Sequence, residues 1–201
     1  RIHCYNPLTN ETLAKMAEDI TEVTKDILPD QKLDCVAYGC TSGTIAAGYD
    51  TIKSKINLAK PSAKVTTPIT STIKALKKLD IKRISIFTPY TNAINDSVVN
   101  YFKKENISIN SLTYFDIASD LDIGKVDENY LFEVLSKIDL EDSDALFVSC
   151  TALPVLSIID KLEKKLNKII LSSNQTLIWD ALHLIGNKDP VVGFGKIFEA
   201  N

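Results

Sequence analysis

Short apolar runs alternate with longer segments of helical periodicity from residue 9 to residue 185. The runs 34–39 (DCVAYG), 64–67, 81–88 (IKRISIFT), 107–115, 144–149 (DALFVS) and 168–172 have the length and flanking turn residues of buried strands. Between them, apolar residues recur at helical spacing. Leu13, Met16, Ala17, Ile20, Val23 and Ile27 predict a helix over 9–28, and Ile45, Ile52 and Ile56 predict another. Pro68 predicts a helix start, and further helices are expected near 92–105, 127–138, 153–166 and 174–185. This order leaves few folds open. Strands that alternate with helices pair in parallel, with the helices covering the sheet. The expected class is α/β. In such sheets ligands sit beyond the carboxyl ends of the strands, near helix N-termini. The Lys pairs 77–78, 103–104 and 164–165 fall in amphipathic helices and read as solvated faces.

Composition excludes several functions. With 45% hydrophobic and 24% charged residues the chain buries a core, which excludes disorder. A net charge of -3 without a basic block argues against nucleic-acid binding. No apolar run approaches the ~18 residues of a membrane helix, and no stretch reads as a signal peptide. Cys4, Cys35, Cys40 and Cys150 match no zinc spacing, and His3 and His183 do not complete one. The cysteines are expected to be reduced thiols of a cytoplasmic protein. They are therefore either core filler or chemistry.

An internal repeat favours chemistry. Residues 34–44 read DCVAYGCTSGT and 144–154 read DALFVSCTALP. Both run Asp, four apolar or aromatic residues, a small residue, Cys, Thr and another small residue. Cys40 and Cys150 stand 110 positions apart, the mark of two related halves. Each cysteine follows a strand and precedes a helix, where free N–H groups are expected to lower a thiol pKa. Thr41, Ser42 and Thr151 add hydroxyls and backbone donors suited to a carboxylate. Two halves face to face would set one thiol on each side of a small acidic ligand, one for covalent addition and one for the proton, or both for proton transfer. Single buried cysteines are usually inert. On that ground Cys35, inside its strand, and Cys4, in an expected short N-terminal strand, read as structural.

GCTSGT at 39–44, SCTALP at 149–154, TPYT at 88–91 and SSNQTLIWDAL at 172–182 resemble the aspartate/glutamate racemase superfamily. Within it the likeness is to maleate cis–trans isomerases, with arylmalonate decarboxylases and ectoine-utilisation proteins nearby. The resemblance implies two pseudo-symmetric α/β lobes, each a parallel sheet flanked by helices, with the active site in the cleft between them. It implies no metal and no organic cofactor, a small carboxylate substrate and a homo-oligomer. Cys40 resembles the nucleophile that adds to the maleate double bond, and Cys150 the proton donor and acceptor. In the racemases both act as acid and base. In the arylmalonate decarboxylases the first cysteine is Gly, so Cys40 argues against decarboxylation. Tyr90 resembles a tyrosine that donates to the substrate carboxylate. Thr41, Ser42, Thr151, Ala152 and Asn174 are the other expected substrate contacts. Capping of the loop beside Pro89 is the alternative for Tyr90, and helix capping is the alternative for Asn92 and for Asn174 and Gln175, with Ser172 and Ser173 sharing that task. Trp179 reads as packing and His183 as a surface residue at a helix C-terminus. One departure stands out. The isomerases carry an Asn in a loop equivalent to 119–123, and this chain reads SDLDI there. That leaves room for a racemase-type or ectoine-utilisation-type substrate. A non-catalytic carboxylate-binding module and a Cys40–Cys150 redox pair are the readings outside catalysis.

The expected division is residues 1–80 with 173–201 as the first lobe and 81–172 as the second. If the halves are equally long, roughly thirty residues of the first lobe would precede Arg1. RIHCYN would then be a strand tail equivalent to SLTYFD at 111–116. Pocket shape is expected from the loop after Cys40, from 116–125 and from the stretch around 66–70.

Overall fold

The computed structural model describes residues 1–187 and 189–199. Lys188, Ala200 and Asn201, which fall in the expected first lobe, lie outside the described residues.

Two parallel sheets form. Strand β1 (Cys35–Ala37) pairs with β2 (Lys64–Thr66), Val36 opposite Val65. The larger sheet holds β3 (Arg83–Thr88), β4 (Ser108–Tyr114), β5 (Ala145–Val148) and β6 (Ile169–Ser172), in the order β4-β3-β5-β6. Ile84, Ile86, Phe87 and every residue of β5 are fully buried, as expected for central parallel strands covered on both faces. The polar edge strand β4 is more exposed.

The connections from β3 to β4 and from β5 to β6 run away from each other. The order therefore reverses between neighbouring β3 and β5, whose Phe87 and Val148 lie opposite one another. A reversal of this kind opens a crevice at the carboxyl ends of the two strands. The residues just past those ends are Tyr90 and Cys150.

The helices explain themselves from their sequences. In α6 (Asn92–Lys104), Ile94, Val98 and Phe102 recur every four residues and are buried. Thr91 occupies its N-cap position, so Asn92 is the first helical residue and not the cap. Helix α5 (Pro68–Lys78) starts on Pro68, whose fixed φ suits a first turn. After α6 come α7 (Asp120–Ile123), α8 (Glu128–Leu135) and α9 (Ile159–Leu166), and all three Lys pairs are exposed, in the last turns of α5, α6 and α9. The helix after Cys40 is two: α3 (Thr41–Ala47) and α4 (Tyr49–Ala59), parted by Gly48 at φ 85°. The helix expected over 9–28 is also broken. It consists of α1 (Asn10–Lys15), a 3-10 stretch (Met16–Asp19) and α2 (Ile20–Lys25). Leu13, Met16, Ala17 and Ile20 are nonetheless all buried.

Helix α10 (Ser173–Leu184) follows β6 and packs against β1, β2 and α5. Its Asp180 is buried and accepts from Thr66, Ser71 and Lys74, tying the helix to the smaller sheet. Residues 1–5 form no strand, contrary to the expectation for RIHCYN. Among the described residues no neighbouring strand supplies the ladder that a strand needs.

Candidate active site

One cavity of about 170 Å³ lies between the two sheets. Cys40, Thr41, Ser42, Tyr90, Cys150, Thr151 and Ala152 all line it. The sequence repeat thus brings its two cysteines to a single space. Asn174 is not in the wall. It sits behind it, its side-chain amide donating to the Thr151 carbonyl at 3.0 Å, and so braces the turn that carries Thr151.

Cys40 occupies the N-cap position of α3 in extended backbone, φ -137°. Its Sγ accepts from the Gly43 N–H at 3.3 Å and lies 4.0 Å from Ser42 Oγ. The N–H groups of Thr41 and Ser42 belong to the first turn, ahead of the helical ladder.

Cys150 is held differently. Residues 151–153 form a turn, and the next regular element is a 3-10 stretch at Leu156–Ile158. The expected helix start after this cysteine is therefore absent. Pro154 disfavours helical backbone at Leu153 and delays the helix. Cys150 itself has φ 88°, a left-handed conformation that side chains rarely adopt. Its N–H donates to Ser173 Oγ at 3.0 Å, and its Sγ accepts from the Ala152 N–H at 3.4 Å. Tyr90 is buried and accepts from Ser149 Oγ at 3.4 Å, and its hydroxyl favours the ionised form of Cys150.

Both thiols titrate above the usual range, which corrects the expectation of lowered values. Burial raises Cys40 more than the Gly43 N–H and Ser42 lower it. Burial pushes Cys150 up to about 12, over the opposing donors Ala152 N–H and Tyr90. The charge on Asp120 works in the same direction on both. In this space, removing water from a thiolate outweighs two or three donors.

Sequence reasoning missed three residues. Ser173, expected to share the capping of α10, leaves that task to Ser172, which forms a capping box with Gln175. Ser173 Oγ instead accepts from Thr41 Oγ1 at 2.8 Å and from the Cys150 N–H, joining the turns of the two cysteines. Thr151 Oγ1 adds a second bridge, donating to the Gly39 carbonyl at 2.8 Å. Cys4 lines the cavity although it reads as structural, and burial lifts its thiol to about 11. Asp120 also lines it, within the 116–125 segment expected to shape the pocket. The 66–70 stretch does not line it; Thr66, Thr67, Thr70 and Ser71 bond among themselves and to Asp180. Cys35 lies in β1, away from the cavity, and Trp179 is buried. His183 packs on Trp179 in the last turn of α10, its Nδ1 2.9 Å from the Trp179 carbonyl. Among the described residues no three His, Cys, Asp or Glu side chains are grouped to hold a metal ion. No helix among them is long and apolar enough to cross a membrane.

Comparison with known proteins gives a consistent picture. The model of the arylmalonate decarboxylase family matches residues 8–198. A maleate isomerase from Geobacillus stearothermophilus is 27% identical over 199 residues, covering 94% of this chain and 78% of that protein. An arylmalonate decarboxylase from Bordetella bronchiseptica is 25% identical over 137 residues, covering 67% of this chain and 57% of that protein. Among solved structures, a Nocardia farcinica maleate cis–trans isomerase variant with a covalently bound succinylcysteine intermediate superposes with a TM-score of 0.87. That match has 19% identity and covers 98% of this chain and 83% of the other.

Proposed function

Because the chain belongs to the arylmalonate decarboxylase family, we propose that it is a cofactor-independent isomerase of a small dicarboxylate, with maleate-type cis–trans isomerisation as its reaction. One observation carries the reading: two thiols on one small cavity, each with a backbone N–H directed at its sulfur. The resemblance to proteins named maleate isomerase supports it.

The chemistry needs two thiols in different protonation states. Cys40 attacks one olefinic carbon as the thiolate. The π pair moves to the neighbouring carbon, delocalises into its carboxylate, and takes the proton of Cys150. The thioether now has a C–C single bond, which rotates. The Cys150 thiolate removes the proton again, the double bond re-forms as the trans isomer, and the C–S bond breaks with its pair returning to Cys40. Atoms and electrons balance with nothing consumed. A Cys150 pKa of about 12 suits the group that must enter the cycle protonated. The Thr41 and Ser42 donors receive one substrate carboxylate, with Tyr90, Thr151 and Ala152 on the opposite wall. Asn174 acts through the Thr151 turn.

In this reading residues 1–80 with 173–201 form one lobe and 81–172 the other. A homo-oligomer and a cytoplasmic setting belong to the same reading, the first supported by the exposed Ile178 on α10 and Ile185 just past its end.

A racemase-type reaction is the second reading, favoured by Asp120. A carboxylate in the cavity wall pairs with the ammonium group of an amino acid, a group that maleate lacks.

The test is incubation with maleate, followed by the proton resonance of fumarate. Cys40→Ala and Cys150→Ala are each expected to lose at least about 10³-fold in turnover, and Cys35→Ala to keep it. An active Cys40→Ala protein would overturn the nucleophile assignment. Solvent deuterium exchange at Cα of aspartate or glutamate, without fumarate formation, would select the second reading.

A further inference from the structure

Tyr38 lies two residues before Cys40 and takes no part in the scheme above. Its ring belongs to the smaller core, with Val36, Ile52, Ile56 and Val65. Its backbone is fixed on both sides: the Tyr38 N–H donates to the Thr66 carbonyl at 3.0 Å, and the Cys40 N–H donates to the Tyr38 carbonyl at 3.0 Å. The ring is therefore locked in position relative to the cysteine. Its hydroxyl is buried and has no hydrogen-bond partner. Buried hydroxyls without a partner are rare, and each calls for an explanation.

Gly43 supplies one. A Cβ at this position would lie 2.8 Å from Tyr38 Oη and 2.8 Å from Cys40 Sγ. The hydroxyl and the sulfur thus crowd one point, and only glycine leaves them the room. The hydroxyl stops short of a formed bond to the resting thiol, yet stands where an O–H stabilises negative charge on that sulfur. Tyr90 stands beside Cys150 in a comparable way, but its hydroxyl already accepts from Ser149. Asp120 and Cys4 also act on Cys40 and Tyr38 and oppose ionisation, and charge on Cys40 is coupled to Cys150 and Tyr90 across the cavity.

We propose that Tyr38 is a positioning residue whose hydroxyl is kept unpaired for the ionised form of Cys40, donating to the sulfur only once it becomes a thiolate. A donor without a partner in the resting state gives its whole bond to the charged state, which is how preorganised donors accelerate a reaction. The proposal rests on Cys40 as the nucleophile, but its measurement needs no substrate.

The test is the pH dependence of Cys40 alkylation by iodoacetamide, read by mass spectrometry of the Cys40 peptide, in the native chain and in Tyr38→Phe. Phe keeps the ring and removes only the hydroxyl. The alkaline rise of Cys40 reactivity is expected to move up by about one pH unit, making alkylation about tenfold slower at neutral pH. The Cys150 profile is expected to stay in place. Coincident Cys40 profiles in the two proteins would overturn the proposal. If Tyr38→Phe does not melt cooperatively, uniform 3-fluorotyrosine labelling replaces it. The more acidic hydroxyl is a stronger donor and is expected to lower the Cys40 rise, and an unmoved rise again overturns the proposal. An active Cys40→Ala enzyme together with a shifted alkylation profile would separate failure of the nucleophile reading from failure of this one.

Discussion

Ser173→Ala tests whether the two cysteine turns are held as one unit. The Ser173 oxygen is fully buried and accepts two bonds, from Thr41 Oγ1 at 2.8 Å and from the Cys150 N–H at 3.0 Å. Alanine leaves both donors without an acceptor. An unsatisfied buried donor costs about 1–3 kcal/mol. The Thr41 hydroxyl regains part of this from water in the adjoining cavity, whereas the Cys150 amide belongs to a buried residue. A loss of about 3 kcal/mol follows for the pair. For a chain of this size, each kcal/mol moves Tm by about 2–4 °C, so a fall of about 6–12 °C is expected. The Cys150 backbone, freed from its anchor at φ 88°, relaxes and re-aims the thiol. A misplacement of about 1 Å costs on the order of 10²-fold in rate. Ser172→Ala is the matched control. It removes only the cap bond to the Gln175 N–H, worth about 1 kcal/mol, and leaves kcat unchanged. Thermal melts and initial rates with maleate on the two variants check the reasoning. A Ser173→Ala protein that melts and turns over like Ser172→Ala would refute it.

Two further outcomes follow from the site. Cys150→Gly is expected to be more stable than Cys150→Ala by about 1 kcal/mol in denaturant titration, because glycine alone accepts φ 88° without strain. Both variants are inactive. The rate kcat/KM for maleate is expected to rise with pH through the neutral and alkaline range, since Cys40 must ionise from a raised pKa. No fall caused by Cys150 is expected until its own pKa of about 12 is approached. A bell with its maximum near neutrality would contradict these roles.

The parallel sheets, and with them the places of Cys40, Tyr90 and Cys150, were legible because a residue just past a buried strand is marked by the apolar run before it. Periodicity reports which face of a segment is buried, not its hydrogen-bond pattern. Hence the stripe predicted over 9–28 is buried at Leu13, Met16, Ala17 and Ile20 but exposed at Ile27, and it gave no sign of the 3-10 stretch between α1 and α2. The repeat led to the wrong expectation at Cys150 because SCTALP matches GCTSGT only as far as the small residue after Thr, and Pro154 then changes the backbone. The thiol pKa values were illegible for a different reason. The backbone donors Gly43 and Ala152 lie within three residues of their cysteines, but Tyr90 and the burial that outweighs them all come from distant parts of the chain. Ser173 carries no local signal at all, since its partners Thr41 and Cys150 stand 132 and 23 positions away.

The bond from Thr151 Oγ1 to the Gly39 carbonyl crosses from one half of the repeat to the other. Because of it, the turn that presents Cys40 is completed by a side chain borrowed from the turn that presents Cys150. Neither half-site is a self-sufficient module. Grafting one of them onto another scaffold, or building a symmetric enzyme by duplicating it, would carry over the thiol without the brace that aims it. The heritable unit of this site is the pair of turns, even though its sequence reads as the same short phrase written twice.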